Sequence, residues 1–178
     1  MLKNPLNFLP INRNIKQLQN ELPYEGKVIW IGLRPHRNAI MIEPSQAYAS
    51  IGAGLEGDRF SGNALSKRQV TLIQEEHLAV IASLMRRETL PPALLRRNIV
   101  VSGINLLALK EKIFAIGDAV FEMTGLCHPC SKMETVLGKG GYNAMRGHGG
   151  ITVRVVKNGV IKIGDKVLAQ TPNTLTDD

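Results

Sequence analysis

Apolar and polar positions alternate or cluster in short runs along most of this chain, and one stretch alone keeps a sustained helical period. Lys27 to Leu33 is β-branched and apolar, and the pattern predicts a first strand there. Gln69 to Ile73 predicts another, leading into a helix over Gln74 to Arg87. In that helix Leu78, Ile81, Ala82 and Met85 fall on one stripe. Glu75 and Glu76 in its first turn and Arg86 and Arg87 in its last suit the helix dipole. Pro91-Pro92 forbids continuation, and a single helical turn is expected over Ala93 to Arg97, with a strand over Asn98 to Ser102. Ile113 to Thr124 reads as two strand-like pieces around a turn at Gly117-Asp118. A short helix is expected after Cys130. Ile151 to Val156 and Val160 to Leu168 flank Lys157-Asn158-Gly159, and Asn-Gly between β-branched runs predicts a hairpin. Residues 1–22 are polar and carry proline, with weak helical periodicity around Ile15 to Leu22, and are expected to form an arm outside the main core.

Two segments are rich in glycine. Gly52, Gly54, Gly57 and Gly62 surround Asp58 and Arg59, and six glycines lie between Gly138 and Gly150. Such density implies bends with positive φ or close approach of the backbone. Many short strands, glycine turns and one substantial helix predict a mostly-β barrel with a few helical insertions. The 178 residues are enough for one full core, with no internal repeat or linker.

Composition narrows the partners. The chain has 22 Lys and Arg against 15 Asp and Glu, a net charge of +7, which favours anionic ligands. The cations are scattered beside turns, as Arg34 and Arg37, Lys67 and Arg68, Arg86 and Arg87, Arg96 and Arg97, and Arg146, rather than gathered in one run. With aromatic residues at 4%, this argues against a nucleic-acid partner. A solvated basic surface explains each pair taken singly; an anion site requires that they converge. No apolar run approaches a membrane span, and Met1 to Asn20 lacks a signal-peptide core. A cytoplasmic protein without a membrane partner is expected.

The chemistry concentrates at Cys127-His128-Pro129-Cys130, which holds the only two cysteines. Cys130, at the start of a helix, lies closer to unpaired backbone N–H groups and is the better nucleophile or ligand. Three readings are open: a dithiol couple, half of a zinc site, and a single thiolate for a soft metal or sulfur transfer. The surroundings are not of thioredoxin type, and a closed four-cysteine zinc site is out of reach within this chain. The plain alternative is two cysteines that pack. Gly57-Asp58-Arg59 can present a guanidinium fork to an anion with Asp58 orienting Arg59, although an ordinary turn uses the same residues. Arg97-Asn98 and Arg146-Gly147 are weak as isolated dipeptides. His36, His77 and His128 show no ligand spacing; His77 is expected on the surface, and His148 lies in a glycine segment from which it could reach a site.

Taken in order, seven segments resemble the MOSC domain, named for its relation to the C-terminal domain of molybdenum cofactor sulfurase. They are Gly54-Leu55-Glu56-Gly57-Asp58-Arg59, Arg68 to Ile73, Leu95 to Gly103, Ile116-Gly117-Asp118-Ala119, Cys127 to Cys130, Met145-Arg146-Gly147, and Gly159 to Asp165. The resemblance spans roughly residues 25–170, with 1–24 as an arm and 171–178 as a tail. It implies a barrel of the pyruvate-kinase-insert type with a cleft for the molybdenum cofactor. It makes Cys130 the molybdenum ligand or sulfur carrier, and Gly57, Asp58, Arg59, Arg68, Arg97, Asn98, Arg146 and Gly147 cofactor contacts.

The activity implied is reduction of N-hydroxylated small molecules with electrons from a redox partner. The alternative is a Cys130 persulfide received from a cysteine desulfurase. The family-level association with pyridoxal phosphate belongs to a desulfurase domain, and this chain is not expected to generate its own sulfane sulfur. Phe60 stands where some stand-alone reductases of the family carry histidine, and Cys127 is a thiol the family pattern does not require.

Overall fold

The computed structural model describes residues 14–170; the first part of the expected arm (1–13) and the expected tail (171–178) lie outside it. Seven strands close a barrel: β1 (Gly26–Ile31), β4 (Val70–Gln74), β5 (Ile99–Ser102), β6 (Ile113–Ile116), β7 (Ala119–Leu126), β8 (Ile151–Lys157) and β10 (Lys166–Gln170). Their order around the barrel is β1-β10-β6-β7-β8-β4-β5, and β5 returns to β1. The neighbouring pairs are antiparallel except β4 and β5, which run parallel because helix α2 (Glu75–Leu84) joins them. A smaller sheet, β3-β2-β9, comprises β2 (Gln46–Ser50), β3 (Gly54–Leu55) and β9 (Gly159–Lys162). The fold is the mostly-β barrel the pattern predicts.

Apolar burial occurs on both faces of the wall. In β5, Ile99 and Val101 point into the barrel core, while Val100 packs outward with Leu78, Ile81 and Leu95. That is why these strands read as unbroken apolar runs instead of alternating ones. In β1, Val28 and Ile31 belong to the barrel core, and Ile29 and Trp30 pack with the outer cluster. A register shift between Val28 and Trp30 against β5 accounts for the parity change. Phe114 and Phe121, stacked with centroids 5.8 Å apart, are among the largest side chains of the barrel interior.

The outer cluster seats α2 and α3 (Ser131–Leu137), with Met133 and Leu137 buried against the wall. The expected stripe of α2 holds: Leu78, Ile81 and Ala82 are buried and Met85 packs against the same cluster. The helix ends at Leu84, short of the expected Arg87, because Arg86 turns into the left-handed region at φ 54°. A 3₁₀ turn, Pro92–Leu95, begins at the second proline, one residue before the expected Ala93, and ends at Leu95, short of the expected Arg97. At the N-terminus, α1 (Ile15–Asn20) is closed by a reciprocal capping box between Asn14 and Gln17. The glycine-rich segment contains one short turn of helix, α4 (Gly141–Ala144).

The expected Asn158-Gly159 hairpin is not formed. β8 pairs with β4 and β7, whereas β9 crosses to pair with β2. Neither residue has the positive φ of a tight two-residue hairpin turn. Asn158 instead accepts the Ile51 N–H at 2.8 Å. Gly159 lies so close to Asp118 that a Cβ would meet its carbonyl carbon at 2.4 Å. The glycine is needed for chain crossing, not for a turn.

Candidate functional site

Strand register places the candidate site. Ile31 pairs with Ile99, Ile99 with Leu72, Leu72 with Ile151, and Ile151 with Leu126. These five residues form a row across five adjacent strands, and the immediate neighbours of the row are Gly32, Asn98, Thr71, Gly150 and Cys127. Segments distant in the chain therefore converge on one rim.

Polar bonds fix that rim. Asn98 Oδ1 accepts from the Thr71 N–H at 3.1 Å and from Thr71 Oγ1 at 2.9 Å, and its Nδ2 donates to the Gly32 carbonyl at 3.2 Å. One buried amide thus ties β4 and β5 to the end of β1. Arg97, 7% exposed, donates to three carbonyls: Gly149 from Nε (2.7 Å), Leu95 from Nη1 (3.1 Å) and Cys127 from Nη2 (3.2 Å). The Cys127 N–H donates to the Gly150 carbonyl at 2.8 Å. The glycines are required here: a Cβ on Gly149 would meet the Cys127 oxygen at 2.1 Å. Arg97 is thus a clamp between the cysteine loop and the glycine-rich loop. Burial lowers its pKa, opposed by the neighbouring Cys127 and Cys130.

The loop after β3 is bolted on in the same way. Asp58 Oδ1 accepts the Arg34 N–H at 2.8 Å and Oδ2 the Phe60 N–H at 3.3 Å, while the Arg59 N–H donates to the Arg34 carbonyl at 2.7 Å. Asp58 orients backbone in this loop, and Gly57, at φ 83°, makes the bend that precedes it.

These segments enclose a cleft of about 530 Å³. Cys130 lines it and is exposed, whereas Cys127 is buried at 5%. Cys130 is the N-cap residue of α3; its carbonyl accepts the Met133 N–H at 2.8 Å and its side chain makes no capping bond, which leaves Sγ free. His128 and Phe60 also face the cleft.

The lining is strongly cationic. Of the residues expected at the site, Asp58, Arg59, Arg68, Arg97, Asn98 and Cys130 meet there. Arg34, Arg37, Arg96 and Lys132 join them, and among the described residues Asp58 is the one carboxylate on the wall. Arg34 Nε is buried without a hydrogen-bond partner among the described residues. The Arg34 pKa is lowered first by burial and next by Arg96, with Asp58 acting in opposition. Lys132 donates to Asn38, and its ammonium is lowered by desolvation and then by Arg96, Arg37 and Arg34. The four additional cations belong to the scattered basic positions, or in the case of Lys132 to the helix after Cys130. What joins them is barrel closure, which one-dimensional spacing does not contain.

Other candidates lie elsewhere. Arg146 is exposed and outside the cleft lining, and Gly147 lines a separate cavity of about 140 Å³ behind the cysteine loop. His148 packs edge-on against His77, centroids 4.9 Å apart, so His77 is half-buried and not the surface residue expected. Arg87 braces the end of α3 by donating to the Leu137 carbonyl at 2.7 Å. Among the described residues no group of three or more His, Cys, Asp or Glu could hold a metal ion, and no helix is long and apolar enough to cross a membrane.

The arrangement can hold an anion and present one soft sulfur ligand beside it. Solved structures share the fold. The YUAD protein from Bacillus subtilis superimposes with a TM-score of 0.69 at 21% identity, covering 81% of this chain and 94% of that one. YiiM from Geobacillus stearothermophilus gives 0.67 at 15%, covering 82% and 75%. YiiM from Escherichia coli gives 0.63 at 18%, covering 84% and 71%. No curated protein matches the chain. The family model of the MOSC domain, a domain associated with molybdenum-cofactor binding, matches residues 49–168, and the chain belongs to the MOSC domain family.

Proposed function

We propose that the cleft binds the molybdenum cofactor with Cys130 Sγ as the protein ligand to the metal, and that the protein reduces N-hydroxylated small molecules. The observation that carries this reading is an exposed, uncapped thiol in a cleft lined by guanidinium groups. The residues fit the cofactor in kind: a soft sulfur for the metal and guanidinium donors for the pterin phosphate. When bound, the cofactor would supply abstraction of the hydroxyl oxygen. Two electrons from a separate reductant and two protons balance the conversion of N–OH to N–H and water. Arg97 and Asn98 hold the loops that carry Cys130, Arg59 and Arg68 face the anion, and His128 on the same rim supplies an imidazole for proton movement.

Exposure of Cys130 also suits a second reading, in which its persulfide is received from a desulfurase and passed on. Metal analysis of protein made in a host that synthesises the cofactor separates the two. Stoichiometric molybdenum and pterin in the wild type, lost in Cys130→Ala and kept in Cys127→Ser, supports ligation. Sulfane sulfur released by cyanide from a metal-free protein would replace it with the carrier reading. A third sulfur at the molybdenum absorption edge, beyond the two of the dithiolene, is the direct signature of the Cys130 bond.

A further inference from the structure

The cleft carries more positive charge than one phosphate accounts for. Among the described residues its wall presents seven cations and one carboxylate, and that carboxylate is occupied with the backbone N–H groups of Arg34 and Phe60. A phosphomonoester brings about two negative charges at neutral pH. Arg97 is committed to three backbone carbonyls, so the clamp does not explain the remainder.

Besides Arg97, six cations line the wall among the described residues. Arg59 and Arg68 extend from the loops before β4. Arg34 and Arg37 follow β1, Arg96 ends the 3₁₀ turn and Lys132 lies in the first turn of α3, and all four line the same cleft. Crowding four cations costs free energy unless an anion joins them. One further feature points to a ligand at this group: among the described residues, the buried Arg34 Nε has no hydrogen-bond partner.

Building on the proposed function, we infer that the substrate of this cleft is itself an anion of the phosphate class, seated by Arg34, Arg37, Arg96 and Lys132 beside Cys130. A phosphorylated N-hydroxy compound fits this chemistry better than a neutral base. The cofactor's own phosphate is the other source of the same chemistry, and the test separates them.

The probe is inorganic phosphate, titrated calorimetrically into the molybdenum-loaded full chain, and compared with Arg37→Gln and the double variant Arg37→Gln/Lys132→Gln. Both target side chains on the cleft wall and neither belongs to the buried core; melting curves report whether each variant folds, and the single variant serves if the double does not. The inference expects saturable phosphate binding to the loaded protein, weakened about tenfold or more in the variants, with molybdenum and pterin content unchanged. Parallel loss of cofactor content in the variants assigns the group to the cofactor's phosphate and overturns the inference, leaving the proposed function intact. Absent binding, or equal binding in wild type and variants, also overturns it. A chain that takes up no molybdenum yet shows the tenfold loss of phosphate binding keeps the anion site and removes the proposed cofactor function.

Discussion

Arg97 directs its guanidinium at backbone, and the consequences are specific. Removing it in Arg97→Met leaves the carbonyls of Leu95, Cys127 and Gly149 without that donor in a buried place. Each unsatisfied group costs about 1–3 kcal/mol, so a clear fall in the denaturation midpoint is expected and, on the proposed function, loss of molybdenum content with it. Arg97→Lys should recover little, because an ammonium cannot span three acceptors held in the plane of a fork. Gly149→Ala reaches the same defect sterically, by pushing the Cys127 carbonyl away from Arg97. If Gly149→Ala melts like the wild type, the clamp is not what positions the cysteine loop. These contacts also mark what residue-level reading can deliver. The family resemblance singles out Arg97 and Asn98, but their work of holding backbone depends on partners that lie up to 66 positions away.

At the level of elements, Glu134 joins α3 to α4. Its carboxylate accepts the Gly140 N–H at 2.7 Å and the Tyr142 N–H at 2.9 Å. These bonds, the Tyr142 bond foremost, hold its pKa below the ordinary 4.5. A carboxylate with a lowered folded-state pKa stabilises the protein above its unfolded value, and loses that contribution as the pH falls through the folded one. Wild type should therefore melt above Glu134→Gln at pH 7, with the gap closing as the pH drops below 4.5. A gap independent of pH would show that the carboxylate charge is not involved.

Helix α2 makes a packing prediction. Ile81, fully buried between the helix and the barrel wall, should cost about 2–5 kcal/mol on truncation to alanine, read as a shift of the denaturant midpoint. The stripe containing Ile81 was legible because a 3.6-residue period is local information. The Asn158-Gly159 signal misled because a dipeptide reports permitted backbone geometry and not the strand that the next segment will join. β9 pairs with β2, more than a hundred residues earlier in the chain, and only sheet assembly decides that.

Across the whole molecule, the net charge of +7 gains meaning from where barrel closure puts it. Phosphate that binds only the folded cleft should raise the melting temperature in proportion to the logarithm of its concentration, while chloride at matched ionic strength should not. The effect should weaken with added salt, since part of it is charge attraction near solvent. Equal stabilisation by both anions would mark a general charge effect over the surface and no built site.

By itself the sequence determined the elements and the chemical inventory. Apolar periodicity gave most of the barrel strands and the main helix, glycine and proline placed the bends, and the order of seven motifs resembled one family. These are properties of near neighbours along the chain, so they survive without coordinates. Tertiary structure alone decided that Cys130 is exposed and Cys127 buried, that Arg34, Arg37, Arg96 and Lys132 share a wall with them, and that Arg146 does not. The reason is register: pairing across five strands aligns Ile31, Ile99, Leu72, Ile151 and Leu126, and the rim formed by Gly32, Asn98, Thr71, Gly150 and Cys127 follows from that row.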